Sequence, residues 1–211
     1  MTRGLGPALT LGQMLDEAAA RDPAHEAIVF RDERVSYGQL KARADAFALG
    51  LIALELKRAD HVVLWMPNRV EWNVAHLGIA KAGCVTVTCN SRYKALEVEY
   101  VLRQSDAKAL ILADRFDAAG VDYLELLREI CPVVDAPSSR LPALRHVIVL
   151  GSRVPAGCRS WAEVEARGPA CSVLRGEAAM VMAPAAAAGD PAVAAARAPK
   201  AGRPEGPASR S

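Results

Sequence analysis

Asp60-His61-Val62-Val63-Leu64-Trp65-Met66-Pro67-Asn68 contains a continuous apolar run of strand length closed by a proline–asparagine breaker. A strand with one wet face alternates apolar and polar residues. An unbroken run predicts a strand covered on both faces, as in the interior of a parallel sheet. Residues 70–82 follow as a helix, with Val74, Leu77 and Ala82 on its inner stripe. Lys81 falls in its last turn, where a cation suits the helix dipole, and Gly83 is placed to take the left-handed stop. Val85-Thr86-Val87-Thr88 is the next strand.

The alternation continues outward. Residues 96–104 and 121–130 read as helices, and 109–112 and 146–150 as apolar strands. Ser160-Trp161-Ala162-Glu163 has the form of a capping box, in which a hydroxyl and a carboxylate each take one free amide at a helix start. Before residue 60, 11–21 reads as a helix with Leu11, Leu15, Ala18 and Ala19 on one stripe. Thr10 can cap it and Asp22-Pro23 ends it. Residues 27–30 form a strand and Arg31-Asp32-Glu33-Arg34 a polar turn, with Val35 beginning the return of a hairpin. Ser36-Tyr37-Gly38-Gln39 is a second capping box, opening a helix with Leu40, Ala44, Phe47, Ala48 and Leu51 inward. Residues 131–145, with three prolines and two serines, read as an exposed connector. Strands separated by helices predict an α/β chain: a mostly parallel sheet, helices on both faces, right-handed crossovers.

The pattern stops near residue 182. From Ala183 to Ser211 there are twelve alanines, five prolines and three glycines, with Val193 the only large aliphatic and no aromatic. Such a segment buries too little apolar surface to offset the entropy of ordering it, so residues 183–211 are expected to be a disordered low-complexity tail. The net charge of +2 resides there, in Arg197, Lys200, Arg203 and Arg210 against Asp190 and Glu205. The neutral remainder offers no electrostatic footprint for nucleic acid. Five cysteines without a C-x-x-C pair predict neither a disulfide framework nor a zinc site. Cys84 and Cys89 lie in or beside a strand and are expected to act as small hydrophobes. No apolar run approaches a membrane span, and no leader pattern is recognised, so the expected location is cytoplasmic.

Chemistry-bearing motifs are sparse. Neither strand end carries a G-x-G-x-x-G turn, and there is no G-x-x-x-x-G-K-[ST] loop and no G-x-S-x-G elbow. His25, His61, His76 and His146 are scattered. Asp16-Glu17 and Glu97 with Glu99 read as solvated helix surfaces. Asn68 and Asn90, just past strand ends, are the best-placed polar residues for a ligand, because open α/β sheets bind there. Turn formation is the simpler role for both.

Four stretches together resemble one family. Val35-Ser36-Tyr37-Gly38-Gln39-Leu40 is similar to the L-[ST]-Y-x-E-L segment of the adenylate-forming superfamily, which includes acyl-CoA synthetases. Asp60 to Asn68 resembles its D-x-V-x-x-x-x-P-N strand. Gly78-Ile79-Ala80-Lys81-Ala82-Gly83-Cys84-Val85-Thr86-Val87-Thr88-Cys89-Asn90-Ser91-Arg92-Tyr93 resembles G-x-x-K-A-G-x-V-x-V-P-x-N-P-R-Y, with Thr88 and Ser91 replacing the prolines. Residues 97–111 match the helix and strand that follow. The N-x-R-Y ending is most like acyl-CoA synthetases.

The resemblance implies an incomplete N-terminal subdomain of the adenylate-forming fold over residues 10–182. It implies an ATP-dependent acid–thiol ligase by ancestry, with a carboxylic acid, ATP, Mg²⁺ and CoA as the full-length family's substrates and cofactors. Glu177-Ala178-Ala179-Met180-Val181-Met182 looks like the strand entering the family's phosphate loop, Y-T-S-G-T-T-G-x-P-K-G. This chain continues Ala183-Pro184-Ala185-Ala186-Ala187-Ala188-Gly189-Asp190 instead. No catalytic, cofactor-binding or metal-binding residue of the family's reaction centre transfers to a position here, and no cofactor is expected for the chain itself. The expectation is a chain truncated before the phosphate loop and inactive alone. The alternative is a non-catalytic interaction module, with a full-length synthetase as its partner.

Overall fold

The apolar runs around 62–66 and 109–112 lie side by side at the centre of one sheet. The computed structural model describes residues 10–131 and 140–170. Its elements are α1 (Leu11–Arg21), β1 (Glu26–Phe30), β2 (Glu33–Ser36), α2 (Tyr37–Ala53), β3 (His61–Trp65), α3 (Val70–Lys81), β4 (Val85–Thr88), α4 (Ala95–Gln104), β5 (Ala109–Ala113), β6 (Arg115–Phe116), β7 (Val121–Asp122), α5 (Tyr123–Ile130), β8 (His146–Leu150), β9 (Arg159–Ser160) and α6 (Trp161–Ala170). The main sheet runs β4-β3-β5-β8-β9, with every neighbouring pair parallel. β1–β2 and β6–β7 are separate antiparallel hairpins. The Ala/Pro-rich segment 183–211, the strand expected at 177–182 and most of the connector expected at 131–145 lie outside the described residues.

Side-chain parity shows that helices cover both faces. Thr86 is in register with Val62, and its hydroxyl lies 3.2 Å from His76 Nδ1 on α3. Trp65, three residues along β3 and so on the opposite face, meets Tyr123 of α5 edge-on, with ring centroids 4.7 Å apart. α1, α2, α3 and α6 pack together on the first face, and α4 with α5 on the second. The core between them is continuous, and every residue of β5 is buried.

The caps form as expected. Ser36 Oγ accepts from Gln39 N at 3.3 Å, and Gln39 Oε1 accepts from Ser36 N at 2.9 Å. Thr10 with Gln13, and Ser160 with Glu163, make the same reciprocal pairs. Gly83 has φ 75°, the left-handed stop after α3.

Other expectations need correction. Glu33 and Arg34 belong to β2 rather than to the turn, which shortens to Arg31-Asp32. Residue 121 starts a strand and not a helix: Asp122 caps α5, accepting from the amides of Leu124 and Glu125. Leu77 is only partly buried, while Val74, Ala75, Gly78 and Ile79 form the inner face of α3. Leu11 is exposed.

Lys81 departs furthest from its expected role at a helix end. Its side chain is 1% exposed, and its ammonium lies 2.5 Å from Asp16 of α1 and 2.6 Å from Asp45 of α2. Lys41 pairs with the same two carboxylates. Asp45 Oδ1 is off the hydrogen-bonding direction, so its contact with Lys81 is charge attraction. Two ammoniums and two carboxylates thus alternate in a ring across three helices. Asp16 keeps a side chain 43% exposed, as expected of a helix surface, but it is also tied into this ring. Burial works against its charge, but the lysines outweigh burial and hold its pKa below the usual carboxylate range. Glu99 leaves the surface class, being nearly buried and 3.4 Å from Arg140.

Two glycines set the approach of α6. A Cβ on Gly50 of α2 would lie 2.0 Å from the carbonyl oxygen of Val164, and one on Gly168 would lie 2.4 Å from that of Ala46. That proximity lets Trp161 stack on Phe47 with centroids 4.2 Å apart.

Three outcomes are expected. Gly50→Ala forces α2 and α6 apart and costs about 1–3 kcal/mol in urea unfolding. Lys81→Met leaves Asp16 and Asp45 with Lys41 as their one remaining ammonium and costs about 3 kcal/mol, whereas a dipole role alone is worth about 1 kcal/mol or less. Burial pushes the thiols of Cys84 and Cys89 up to about 12, reinforced by Asp60 and Glu97 respectively. Both therefore stay protonated at pH 8 and resist iodoacetamide until urea unfolds the chain, as peptide mass mapping will read out.

Candidate functional site

The strand order fixes where a ligand can approach. From β3 the chain crosses to β4 on one side and returns to β5 on the other, so the connections reverse between β3 and β5. Open α/β sheets bind ligands outside the carboxyl ends of the strands at such a point. Here those ends are Pro67-Asn68-Arg69 after β3 and Asp114-Arg115 after β5.

A cleft of about 230 Å³ lies there, walled by Phe30 and Arg31 of the hairpin, Asn68, Arg69, Arg115 and Phe116. A second hollow, of about 360 Å³, shares Phe30, Asn68 and Arg69 and extends along Trp72 and Asn73. The structure therefore brings Asn68 to a cleft. Asn90 instead serves its own turn: its Oδ1 accepts from Arg92 N at 2.9 Å, and its carbonyl accepts from Tyr93 N at 3.1 Å. The hairpin wall and Arg115 were missed because they lie far from Asn68 in the chain. Only the reversal in strand order could have joined them.

The cleft's charges are largely spent on one another. Arg69 Nε donates to Glu71 Oε2 at 2.7 Å, and Arg43 reaches Glu71 at 3.4 Å and Glu33 at 3.8 Å. Burial alone would raise the Glu71 pKa. The bond from Arg69, a backbone amide and the charges of Arg69 and Arg43 prevail and lower it. Arg115 pairs with Asp117 at 2.9 Å. The Arg31 guanidinium sits 5.4 Å from the Phe30 ring centroid, where a cation–π contact steadies it. α3 starts beside the cleft without a side-chain cap from Arg69, and Glu71 occupies its first turn and meets its positive end. A polyphosphate here would compete with Glu71 for Arg69 and with Asp117 for Arg115.

Beside this site, Asp114, Asp122 and Arg153 tie the ends of β5, β7 and β8 together. Arg153 bonds Asp122 at 2.7 Å, and this bond, foremost, draws the Asp122 pKa down. Tyr123 donates from its hydroxyl to the Ser91 carbonyl at 2.9 Å, and burial raises its pKa to about 12. The four histidines do not converge. His25 stacks on Tyr37, His76 lies by Trp72 and Thr86, and burial, followed by Arg159, lowers the pKa of His146. Among the described residues no group of three or more His, Cys, Asp and Glu could hold a metal ion, and no helix is long and apolar enough to cross a membrane.

Comparison with known proteins agrees with this scaffold. The chain is 38% identical over 154 residues to the mitochondrial medium-chain acyl-CoA ligase ACSF2 of Pongo abelii, an alignment covering 69% of this chain and 25% of that protein. It is 32% identical over 164 residues to the putative acyl-CoA synthetase YngI of Bacillus subtilis, covering 74% and 30%. Among solved structures, Mycobacterium smegmatis MbtA superposes with a TM-score of 0.63 at 32% identity, over 77% of this chain and 28% of that one. The anthranilate CoA ligase AuaEII, solved with anthranoyl-AMP, shares the fold at a TM-score of 0.66 and 23% identity, over 77% and 29%. The chain thus spans about a quarter of the length of the curated relatives it matches first. Residues 15–139, more than half of the chain, match the family model described as AMP-binding enzyme, and the chain belongs to that family.

Proposed function

We propose that the chain is the N-terminal part of an ATP-dependent acyl-CoA synthetase, and that residues 1–211 alone do not activate an acid. In the complete reaction a carboxylate oxygen attacks the α-phosphorus of ATP and pyrophosphate leaves. The CoA thiol then displaces AMP from the acyl-adenylate, giving the thioester. Both steps depend on cations and amides arrayed around a polyphosphate.

One observation carries the proposal. The segments that resemble the family fall on scaffold: the α2 cap, β3, the α3–β4 corner and the α4–β5 unit. Where the family's phosphate loop would follow Met182, the sequence is Ala183-Pro184-Ala185-Ala186-Ala187-Ala188-Gly189-Asp190, without the hydroxyls and lysine of that loop. Of the three arginines of the strand-end cleft, Arg69 and Arg115 are already paired with carboxylates, which leaves Arg31 alone in place of that loop's array of donors. The relatives named above suggest a carboxylic acid as substrate. On this reading residues 1–182 supply scaffold, and the reaction centre is not found within residues 1–211.

The Ala/Pro/Arg/Gly bias of 183–211 is what a GC-rich gene yields when read out of frame. Translating the DNA past codon 182 in the other two frames tests that origin: a Y-T-S-G-T-T-G reading supports a frameshift, and its absence favours a fusion or splice product. The functional proposal is tested by acid-dependent ATP–pyrophosphate exchange on the purified chain across short-, medium- and long-chain acids. Background exchange is expected. Turnover above background, or tight magnesium-dependent ATP binding by calorimetry, overturns it.

A further inference from the structure

α1 is joined to the rest of the structure in an uneven way. It packs against α2 and α3, and its buried residues are Gly12, Leu15 and Ala19, a small apolar footing. Leu11 and Met14 face outward. Gly12 rests on the Lys81 stem, where a Cβ would lie 3.0 Å from Lys81 Cγ. The ionic hold passes through one residue, Asp16, which lies 2.5 Å from Lys81 and 3.2 Å from Lys41.

Immediately after α1 the chain is pinned. Asp22 is extended, at φ −152°. The Pro23 carbonyl accepts from Gly38 N at 2.9 Å, and the His25 carbonyl accepts from Tyr37 N at 3.0 Å, which fixes residues 23–25 to the start of α2. The result is a helix anchored at its C-terminal end and latched partway along by one carboxylate.

We propose that α1 is a detachable strap: it opens as a unit about Asp22 while α2, α3 and the sheet stay folded, and Asp16 is the latch. Opening leaves Lys41 and Lys81 sharing only Asp45, so the bared α2–α3 seat carries a net positive charge and takes back an acidic helix, which α1 supplies. The apolar area lost is small beside that buried in the sheet, so the opening requires less free energy than global unfolding.

Native-state hydrogen exchange on the full chain in a low-urea series tests this. Amides of residues 15–21 are expected to exchange through an opening nearly independent of urea, while those of 62–65 and 110–112 exchange only through a steeply urea-dependent one. Asp16→Asn should speed exchange in 15–21 by about tenfold, the worth of a hydrogen bond to a charged group. Asp16→Glu, which keeps the charge, should restore most of the protection. A single opening with one urea slope for α1 and the strands overturns the proposal. So does α1 exchange that Asp16→Asn leaves unchanged.

Discussion

A lysine with almost no access to water has to be neutralised where it stands, and much of the first layer is arranged to meet that requirement. Lys81 ends α3, and its ammonium draws Asp16 and Asp45 inward from two other helices. An unpaired ammonium at that depth costs more than most single contacts return, so the three helices dock in the one arrangement that supplies both carboxylates. Lys41 then balances the excess negative charge. Within the G-x-x-K-A-G stretch the lysine thus orders helices, and the glycine two residues later turns the chain into β4. A segment that resembles an enzyme's signature here has an architectural role.

The same division holds at the strand ends. The cleft beside Asn68 occupies the position that open α/β sheets give to ligands, yet two of its three arginines, Arg69 and Arg115, are spent on Glu71 and Asp117. Position and chemistry have come apart. The fold supplies a place of approach, while the charges around it hold hairpin, helix and loop together.

Much of the fold was legible because it rests on local rules. Unbroken apolar runs identified β3, β5 and β8 as strands covered on both faces, reciprocal hydroxyl–side-chain pairs marked the starts of α2 and α6, and Thr10 marked that of α1. The errors share one cause. Asp16, Glu99 and Lys81 sit on helices where periodicity alone places them at the surface or at a dipole, and their partners are 25 to 65 residues away along the chain. Leu11 fits the apolar stripe of α1 but is exposed. The two-residue strands β6, β7 and β9 are too short to leave a pattern. In the cleft, Asn68 was visible from its place after a strand, but Arg31 and Arg115 join it only through the reversal of strand order.

That strand order also bears on how the polypeptide is made. β4 and β5 both pair with β3, β8 with β5, and β9 with β8, so each new strand finds its neighbour already synthesised. α6 then closes against α2. Chains fold from the N-terminus as they leave the ribosome, and here no strand that joins the main sheet after β3 waits for a later one. A nascent ligase of the relatives' length would carry this layer folded while most of its sequence was still untranslated.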